Sequence, residues 1–302
     1  MTILLLGCDG QIGWQLQRSL APHGALCALA RGDCDLADLD GLRSRVRSIA
    51  PGVIVNAAGY TAVDRAESEA DSARRINAEA PALLAAECAR SGALLIHYST
   101  DYIFDGGKPG PYREDDPARP LNVYGRTKHE GELAISGSGA RALIFRTSGV
   151  FGARGDNFVK RILRLARERD FLEVVADQVG SPTPAALVST VTGLALAAVR
   201  RGGLLAVGEA RLYHLAAAHP LSWYEFARTI VGLAARRGFA LRMDADAVRP
   251  ILTGELAQAA RRPLNSRLDC SRLESALGLA MPDWQPYLER VLQLLALKQN
   301  GY

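Results

Sequence analysis

The sequence predicts an α/β fold, a doubly wound parallel sheet with a smaller C-terminal substrate domain. Short apolar runs alternate with helical patterns across residues 1–150, which favours parallel strands joined by crossover helices. A strand, a glycine-rich turn and a helix follow one another at the N-terminus, as in Rossmann-type dinucleotide-binding units. We therefore expect a dinucleotide-binding domain over 1–150 and a mainly substrate-binding region over 151–302, with a strand near 211–216 rejoining the main sheet.

The first strand, residues 3–6, runs into three glycines spaced Gly7-x-x-Gly10-x-x-Gly13. Gly7 would permit the tight turn, Gly10 the close approach of a pyrophosphate, and Gly13 tight packing of the helix on the strand. Gln11 and Ile12 lie between the last two glycines, where the helix starts. The pattern predicts a dinucleotide site, and an ordinary strand-to-helix turn is the alternative.

The second strand, residues 25–30, is followed by Arg31 and not by the acidic residue that would bind the adenosine ribose of NAD. Arg31 can pair with a 2′-phosphate, which favours NADP, or it can be an ordinary solvated arginine. Asp35 and Leu36 follow in a loop that is expected to pass near the adenine.

The third strand, residues 53–56, continues into a loop of mostly small residues, Ala57, Ala58, Gly59 and Tyr60. Small side chains allow the backbone to approach a ligand closely, so this loop is a second candidate wall of the cofactor site. The segment 61–77 that follows is acidic and helical, and it can be read as a solvated helix.

The fourth strand, residues 93–98, leads into Thr100 and Asp101. Ligands bind at the carboxyl ends of parallel strands, so both side chains are placed for a substrate. Farther along, Asn122 is the expected N-cap of a helix that carries Tyr124 and Lys128. Because these two residues are four apart, they share one helix face.

Tyr124, Lys128 and Thr100 together suit the reduction of a ketone. An ammonium beside a phenol lowers the pKa of the phenol and makes it a proton donor near neutral pH. The Thr100 hydroxyl can hydrogen-bond a substrate carbonyl, and a nicotinamide would supply the hydride. A Tyr-x-x-x-Lys pattern can also be an ordinary surface pair, so its interpretation depends on the neighbouring motifs.

The C-terminal half predicts helices and short strands around a turn-rich loop at 177–184. The predicted helices cover 158–168, 187–199 and 223–235, and the predicted strands cover 173–175 and 212–215. Arg262 and Arg267 are candidates for binding a diphosphate, because arginine binds phosphate oxygens with two parallel hydrogen bonds. Simple solvation of these arginines is the alternative.

The composition excludes several classes of function. The net charge is +4, and the 32 arginines and four lysines are scattered without a basic run of five, which argues against a nucleic-acid surface. The N-terminus lacks the pattern of a signal peptide, and no apolar run reaches the ~18 residues that span a bilayer. Five cysteines without Cys-x-x-Cys spacing fit reduced thiols. We expect a cytoplasmic protein with no membrane or nucleic-acid partner.

Taken together, the motifs resemble the dTDP-4-dehydrorhamnose reductases, a family of extended short-chain dehydrogenases/reductases. The resemblance spans residue 3 to about residue 285. The motifs that carry it are the glycine turn with Trp14, Asn56-Ala57-Ala58, Thr61-Ala62-Val63-Asp64, Ser99-Thr100-Asp101-Tyr102, Asn122-Val123-Tyr124-Gly125 with Lys128, Arg146-Thr147-Ser148, Asp177-Gln178 with Pro182-Thr183, Arg262-Pro263 with Asn265-Ser266-Arg267-Leu268, and Pro282-Asp283-Trp284.

The resemblance implies reduction of the 4-keto group of dTDP-4-dehydro-β-L-rhamnose by NADPH or NADH, which gives dTDP-L-rhamnose for cell-surface polysaccharide. It implies that Tyr124 donates the proton, that Lys128 lowers its pKa and holds the nicotinamide ribose, and that Thr100 orients the keto oxygen. Asp101 and Tyr102 would face the sugar. The residues implied to line the cofactor are Gln11, Ile12, Gly13, Ala57, Ala58 and Gly59.

Three positions depart from the family pattern. Many members of the family have a tryptophan at the position of Gly149, and the resemblance implies that this ring covers the sugar. Without it the sugar site can have a different shape, so another dTDP- or NDP-4-keto-6-deoxyhexose is an alternative substrate. Gln15 and Ala186 stand where some members hold magnesium through glutamates in a dimer. Neither side chain offers a carboxylate, which makes magnesium doubtful and leaves monomer and homodimer open. Arg31 fits NADPH at least as well as NADH.

A function of a different class also agrees with the fold. A non-catalytic regulatory module that binds NADP would keep the Rossmann-type domain without needing catalysis. The intact set of Thr100, Tyr124 and Lys128 argues against such a module. Oxidation of NADPH by the pure protein with substrate present distinguishes the two.

Overall fold

The computed structural model describes residues 1–206 and 208–299. Its centre is a parallel sheet of six strands in the order β2-β1-β3-β4-β5-β10. The six strands are β1 (Thr2–Leu6), β2 (Ala25–Leu29), β3 (Val53–Asn56), β4 (Leu94–Thr100), β5 (Arg141–Thr147) and β10 (Ala210–His214). The prediction of a doubly wound parallel sheet is therefore confirmed.

Helices cover both faces of this sheet. They are α1 (Gln11–Leu20), α2 (Leu39–Ile49), α3 (Val63–Ala66), α4 (Ala70–Arg74), α5 (Ala80–Ser91), α6 (Val123–Ser136), α7 (Phe158–Glu168), α8 (Ala185–Arg200), α9 (Trp223–Arg236), α10 (Ser271–Leu277) and α11 (Gln285–Gln299). A π-helical turn, Arg75–Glu79, makes α4 and α5 continuous. The acidic segment at 61–77 is thus less regular than predicted, since α3 and α4 are separate within it.

The remaining strands are short and pair outside the main sheet. They are β6 (Val150–Phe151), β7 (Leu172–Val175), β8 (Val179–Gly180), β9 (Thr183–Pro184), β11 (Leu221–Ser222) and β12 (Val248–Ile251). The pairs are β6 with β9, β7 with β12, and β8 with β11. The loop predicted at 177–184 therefore contains two short strands, which attach it to the end of β5 and to the start of α9.

Alternation along β1 shows how the sheet is buried on both faces. Ile3 and Leu5 pack into one apolar cluster, and Leu4 and Leu6 pack into the other. All four side chains are fully buried. A strand whose successive residues point to opposite faces must be apolar throughout when both faces are covered, which explains the continuous run of Ile and Leu.

The chain returns to the main sheet late in the sequence. The strand expected near 211–216 is β10, which lies parallel to β5 at the edge of the sheet. One of the two apolar clusters also combines residues of both halves, including Leu5 and Phe226. The division at residue 150 stays a prediction, and the last three residues of the region 151–302 lie outside the described part of the chain.

The order of the strands fixes where a ligand can enter. β1 lies between β2 and β3, so the chain leaves β1 toward one side and the later strands build on the other. The crevice at the carboxyl ends of β1 and β3 is the point at which open α/β sheets bind ligands. Among residues 1–206 and 208–299, no helix has the length and apolar character needed to cross a membrane.

Candidate active site

The glycine turn after β1 is packed directly against the loop after β3. Gly7 has a φ of +75°, and a Cβ built on it would lie 2.9 Å from Ala58. A Cβ on Gly13 would lie 2.0 Å from the carbonyl oxygen of Gly7. Residues with side chains cannot occupy either position without moving backbone, so the turn and the helix are as tight as the glycine spacing predicts.

The N-terminus of α1 opens toward this crevice. Gly10 is its N-cap, and as a glycine it has no side chain that could accept a hydrogen bond from the first turn. Free N–H groups at the start of a helix of ten residues form a suitable site for a pyrophosphate. Gln11 extends from the first position of the helix and contacts the backbone of Val150 and Asp156. Ile12 packs against the main apolar cluster.

A cavity of about 510 Å³ lies at the end of β2. Arg31 and Asp35 both line it, and they form an ion pair at 3.3 Å in which the Arg31 side chain is 78% exposed. Arg45 of α2 also lines the cavity, a residue that the sequence reading missed. The side chain of Leu36 is buried in an apolar cluster instead, so only its backbone is available to a ligand here.

The side chain of Asn77 fixes the loop at 57–60 through two hydrogen bonds to its backbone. Asn77 accepts a hydrogen bond from the Tyr60 N–H and donates one to the Tyr60 carbonyl. The Tyr60 hydroxyl donates to Glu69 at 2.7 Å. A Cβ built on Gly59 would lie 3.9 Å from Nζ of Lys128. The loop that was predicted to line the cofactor therefore lies directly beside the predicted catalytic lysine.

The helix that carries Tyr124 and Lys128 is α6, and it begins as predicted. Asn122 is its N-cap and accepts a hydrogen bond from the Gly125 N–H at 2.8 Å. The same side chain donates to the Arg261 carbonyl at 2.7 Å. Asn122 therefore fixes the start of the helix and also attaches the C-terminal segment near 261 to it.

The hydroxyl of Thr100, at the end of β4, lies close enough to Tyr124 to act on its pKa. It donates a hydrogen bond to Asp101 at 3.1 Å and accepts one from the Tyr102 N–H. The ring of Tyr102 packs edge-on against the ring of Tyr124, with centroids 5.9 Å apart. Thr100, Asp101, Tyr102 and Tyr124 thus meet at the carboxyl end of β4, as the sequence predicts.

The predicted acidity of Tyr124 is wrong for the protein without ligands. Burial raises the pKa of Tyr124 to about 12, the Thr100 hydroxyl acts in the opposite direction, and the charge of Asp101 raises the pKa further. The Lys128 ammonium does not offset these effects, because its hydrogen bonds go elsewhere. It donates to the Tyr98 carbonyl at 2.5 Å and contacts the His97 ring at 3.3 Å. Burial lowers the pKa of Lys128 itself to about 8.

The side chains that donate hydrogen bonds to Asp101 carry hydroxyl groups. Ser148 donates to it at 2.8 Å, and Thr100 donates to its other oxygen. Burial raises the pKa of Asp101, and hydrogen bonds from Ser148, Ser266 and Thr100 oppose this rise. Asp101 is only 3% exposed. Ser148 and Ser266 were parts of recognised motifs without an assigned role, and the structure brings both beside Asp101.

The two arginines proposed for a diphosphate have partners within the protein. Arg262 forms hydrogen bonds to both carboxylate oxygens of Asp64, which corrects the interpretation of the 61–77 segment as merely solvated. Arg267 donates to Asn265 at 2.8 Å and to the Pro109 carbonyl. Arg262 also lies near Tyr102, whereas Arg267 is attached to the loop that carries Pro109.

Gly149 is adjacent to an aromatic ring from another part of the chain. A Cβ built on Gly149 would lie 2.6 Å from Cη2 of Trp223, and the residue has a φ of +52°. One built on Gly180 would lie 3.7 Å from Cζ2 of Trp223 and 2.8 Å from Oγ of Ser266. The Trp223 indole therefore lies beside both Gly149 and Gly180, and Gly180 is in turn close to Ser266. The sequence offered no signal for the contact between Trp223 and Gly149, since the two residues are far apart along the chain.

Within the described part of the chain, no group of three or more His, Cys, Asp or Glu side chains is arranged to hold a metal ion. Gln15 and Ala186 are both partly exposed, on α1 and α8. All five cysteines are free thiols.

Comparison with known proteins gives a consistent result over nearly the whole length. Residues 1–297 match the family of the RmlD substrate binding domain. A dTDP-4-dehydrorhamnose reductase of Burkholderia thailandensis is 44% identical over 285 residues, which cover 94% of this chain and 96% of that protein. The enzyme of the same name from Escherichia coli is 43% identical over 299 residues, or 98% of each chain.

Solved structures agree in fold at moderate sequence identity. A dTDP-4-dehydrorhamnose reductase from Bacillus anthracis, in complex with NADP, superposes with a TM-score of 0.86 at 33% identity, covering 97% of this chain and 99% of that one. The ortholog from Clostridium acetobutylicum superposes with a TM-score of 0.87 at 32% identity, covering 98% and 100%.

Proposed function

The chain belongs to the RmlD substrate binding domain family, in which its curated relatives are dTDP-4-dehydrorhamnose reductases, and we propose that it reduces the 4-keto group of dTDP-4-dehydro-β-L-rhamnose to give dTDP-L-rhamnose. NADPH or NADH is the reductant. The relative from Bacillus anthracis was solved with NADP, which supports a dinucleotide on the same fold.

The observation that carries this proposal is the meeting of two sets of residues. The glycine turn and the open N-terminus of α1 lie at the β1/β3 crevice. The loop after β3 continues from there to Lys128. Thr100 and Tyr124 lie on the next strand end and on the same helix as Lys128. A dinucleotide seated on the turn would therefore extend its nicotinamide toward Tyr124, and a bound dihydronicotinamide would supply the hydride.

The chain's own residues supply the rest of the reaction. We assign Tyr124 as the donor of the proton to the keto oxygen and Thr100 as the residue that orients this oxygen. Lys128 holds the ribose and acts on Tyr124. A phenol with a pKa near 12 holds its proton firmly, so transfer requires that the charge developing on the keto oxygen and the Lys128 ammonium both lower the barrier.

Sugar recognition is assigned to the side of the crevice that carries Asp101, Tyr102 and Arg262. A carboxyl held by Ser148 and Thr100 is a fixed acceptor for sugar hydroxyl groups. Arg262 is held next to Tyr102 by its ion pair with Asp64. Because its position is fixed in this way, we assign Arg262 to bind the negatively charged diphosphate of the substrate.

A second substrate, another dTDP- or NDP-4-keto-6-deoxyhexose, is favoured by one observation. Trp223 occupies the space beside Gly149. The aromatic surface on the sugar side of the crevice therefore comes from residue 223, and it approaches from a different direction than a tryptophan at residue 149 would. A panel of nucleotide 4-keto sugars, each assayed by consumption of NADPH, decides between the substrates. The rhamnose precursor is expected to give the highest kcat/KM.

The test of the mechanism is Tyr124→Phe, which removes the proton donor and little else. We expect kcat to fall by about 10²- to 10⁴-fold, the usual contribution of a positioned general acid, while affinity for NADPH is retained. Tyr287→Phe, on α11, is the control. Turnover of Tyr124→Phe near that of the control would refute the assignment, and an inactive wild type that still binds NADPH would favour a regulatory module.

A further inference from the structure

A continuous series of polar contacts connects the loop after β3 to Lys128. The Ala58 N–H donates to Oδ1 of Asn56 at 3.2 Å. Nδ2 of Asn56 contacts Nδ1 of His97 at 3.2 Å, and Nε2 of His97 contacts Nζ of Lys128 at 3.3 Å. Nζ of Lys128 then donates to the carbonyl of Tyr98 at 2.5 Å. Asn56 and His97 are neighbours across β3 and β4 and are each 1% exposed.

The directions of these hydrogen bonds follow from the first one. Because Oδ1 of Asn56 accepts from a backbone N–H, its Nδ2 must face His97 as a donor. Nδ1 of His97 is then an acceptor, so the neutral ring carries its proton on Nε2. This N–H points at Nζ of Lys128. An uncharged amine can accept it and still donate to Tyr98, whereas an ammonium has no lone pair with which to accept.

The charged groups around Lys128 do not cancel the preference of the His97 N–H for the uncharged amine. Glu132, one turn farther along α6, favours the ammonium, but its carboxylate is paired with Arg146 at 2.7 and 2.8 Å. Tyr124 lies one turn before on the same helix. From the neighbouring elements, the loop after β3 presents the backbone at Gly59, and β4 presents His97 and the Tyr98 carbonyl.

We propose that His97 is a positioning residue for the reduction, which holds Lys128 in line with the Tyr98 carbonyl and opposes protonation of its amine. With a pKa of about 8, Lys128 is still mostly the ammonium at neutral pH, which is the form that the reduction uses. The role of His97 in turnover rests on the proposed function of Lys128. Through Asn56 it also connects Lys128 to Ala58, in the loop expected to line the cofactor. His97 had no assigned role from the sequence, because His97, His129 and His214 show no metal-ligand grouping.

The first experiment needs no substrate. The chain has four lysines, so selective ¹³Cε labelling gives few signals, and loss of one signal in Lys128→Met assigns Lys128. In the cofactor-free wild type, Lys128 should titrate near pH 8. His97→Gln can turn a carbonyl oxygen toward Nζ, which favours the ammonium, so the pKa of Lys128 should rise by about one unit or more.

The second experiment compares two amide variants of His97. A glutamine amide reaches the place of Nε2 and keeps the contact with Lys128, and an asparagine amide reaches the place of Nδ1 and keeps only the contact with Asn56. We expect His97→Gln to stay within a few-fold of the wild-type kcat and His97→Asn to lose about 10- to 100-fold, because displacement of a catalytic group by ~1 Å can cost ~10²-fold. The alkaline limb of the kcat profile should move upward in His97→Gln.

Two results would overturn the proposal. One is a wild-type Lys128 that titrates near its ordinary pKa of 10.5, which is decisive even where neither variant folds. The other is a His97→Asn enzyme at least as active as His97→Gln, which would mean that the histidine acts only through Asn56. An inactive wild type would refute the proposed function alone, because the lysine titration is measured without substrate.

Discussion

Asp64 and Arg262 form a two-pronged ion pair that joins the start of α3 to the C-terminal segment of the chain. Nη2 and Nη1 of Arg262 lie 2.7 and 3.0 Å from the two carboxylate oxygens. Hydrogen bonds from Arg262 hold the pKa of Asp64 below its ordinary range. The Arg262 side chain is 16% exposed and the Asp64 side chain is 50% exposed, so the pair is shielded from water mainly on the arginine side, and two parallel hydrogen bonds fix its geometry.

Weakening this pair is expected to impair substrate binding. Asp64→Asn keeps the shape but loses the charge, and the KM for the sugar nucleotide should rise about tenfold, since a hydrogen bond between charged groups contributes ~1.5–3 kcal/mol. The kcat should change little, because Asp64 does not touch the reacting groups. Asp40→Asn, which removes an exposed pair with Arg43, is the control. A KM unchanged or lowered in Asp64→Asn would contradict the assigned role of Arg262.

Cofactor preference should depend on Arg31. If its guanidinium pairs with a 2′-phosphate, Arg31→Ala raises the Kd for NADPH about tenfold and leaves that for NADH unchanged. Titration by the fluorescence of the reduced nicotinamide measures both. Arg43→Ala is a matched control on α2, since Arg43 pairs with Asp40 and does not line the cavity at the end of β2. Equal losses for both cofactors would mean that Arg31 supports the loop and does not select the phosphate.

Local patterns predicted the elements well, because each depends on residues close together in the sequence. The glycine turn and the Asn122 N-cap lie where the sequence places them, and β4 ends two residues later than predicted, at Thr100. Helix α7 even has its predicted bounds. A strand that is buried on both faces is marked by a continuous apolar run. A helix start is marked by a capping side chain three residues before the N–H that it accepts from. Both features can be read from a few neighbouring residues.

Long-range contacts and electrostatics were not predictable in the same way. The tip of Trp223 lies beside Gly149, and Arg262 pairs with Asp64, and both contacts join distant parts of the chain. The pKa of Tyr124 was expected to be lowered by its helix neighbour. Burial and the direction of the Lys128 hydrogen bonds decide it instead, and neither is readable from a four-residue spacing.

Stability at acid pH should depend on the buried pair of Glu132 and Arg146. Their side chains are 3% and 5% exposed, and removing one partner of such a pair typically costs ~3–5 kcal/mol. We expect that loss for Glu132→Gln in urea unfolding at neutral pH. Glu130→Gln, on the same helix, breaks only an exposed pair with Arg74 and should cost about 0–1 kcal/mol. Equal costs for the two variants would contradict the assignment.

The same pair fixes the direction of a pH dependence. Burial opposes ionisation of Glu132, but hydrogen bonds from Arg146 and His129 bring its pKa down to about 2, from 4.5 in the unfolded chain. A depressed carboxyl pKa stabilises the fold above the unfolded value and loses that contribution as the pH falls toward the folded value. The difference in unfolding free energy between wild type and Glu132→Gln should therefore shrink from about pH 5 down to pH 2.

The contact between Gly149 and Trp223 can be separated into strain and crowding. In Gly149→Ala the alanine must adopt a left-handed φ, which should lower the free energy of unfolding by ~1–2 kcal/mol. Its Cβ also lies against Cη2 of Trp223, and this crowding should lower it by about 1–3 kcal/mol more. Gly139→Ala measures strain alone, because Gly139 also has a positive φ but no atom within 4 Å of its Cβ position.

Trp223→Phe, which shortens the ring, should relieve the crowding. In a double-mutant cycle of unfolding free energies, Gly149→Ala should cost about as much as Gly139→Ala once Trp223 is Phe, so that the coupling between the two positions is roughly 1 kcal/mol or more. If Trp223 also lines the sugar side of the crevice, Trp223→Phe raises the KM for the sugar nucleotide while that for NADPH stays unchanged. Additive costs in the cycle would show that the indole tip can move away from residue 149 freely, and a KM unchanged for both substrates would remove Trp223 from the sugar site.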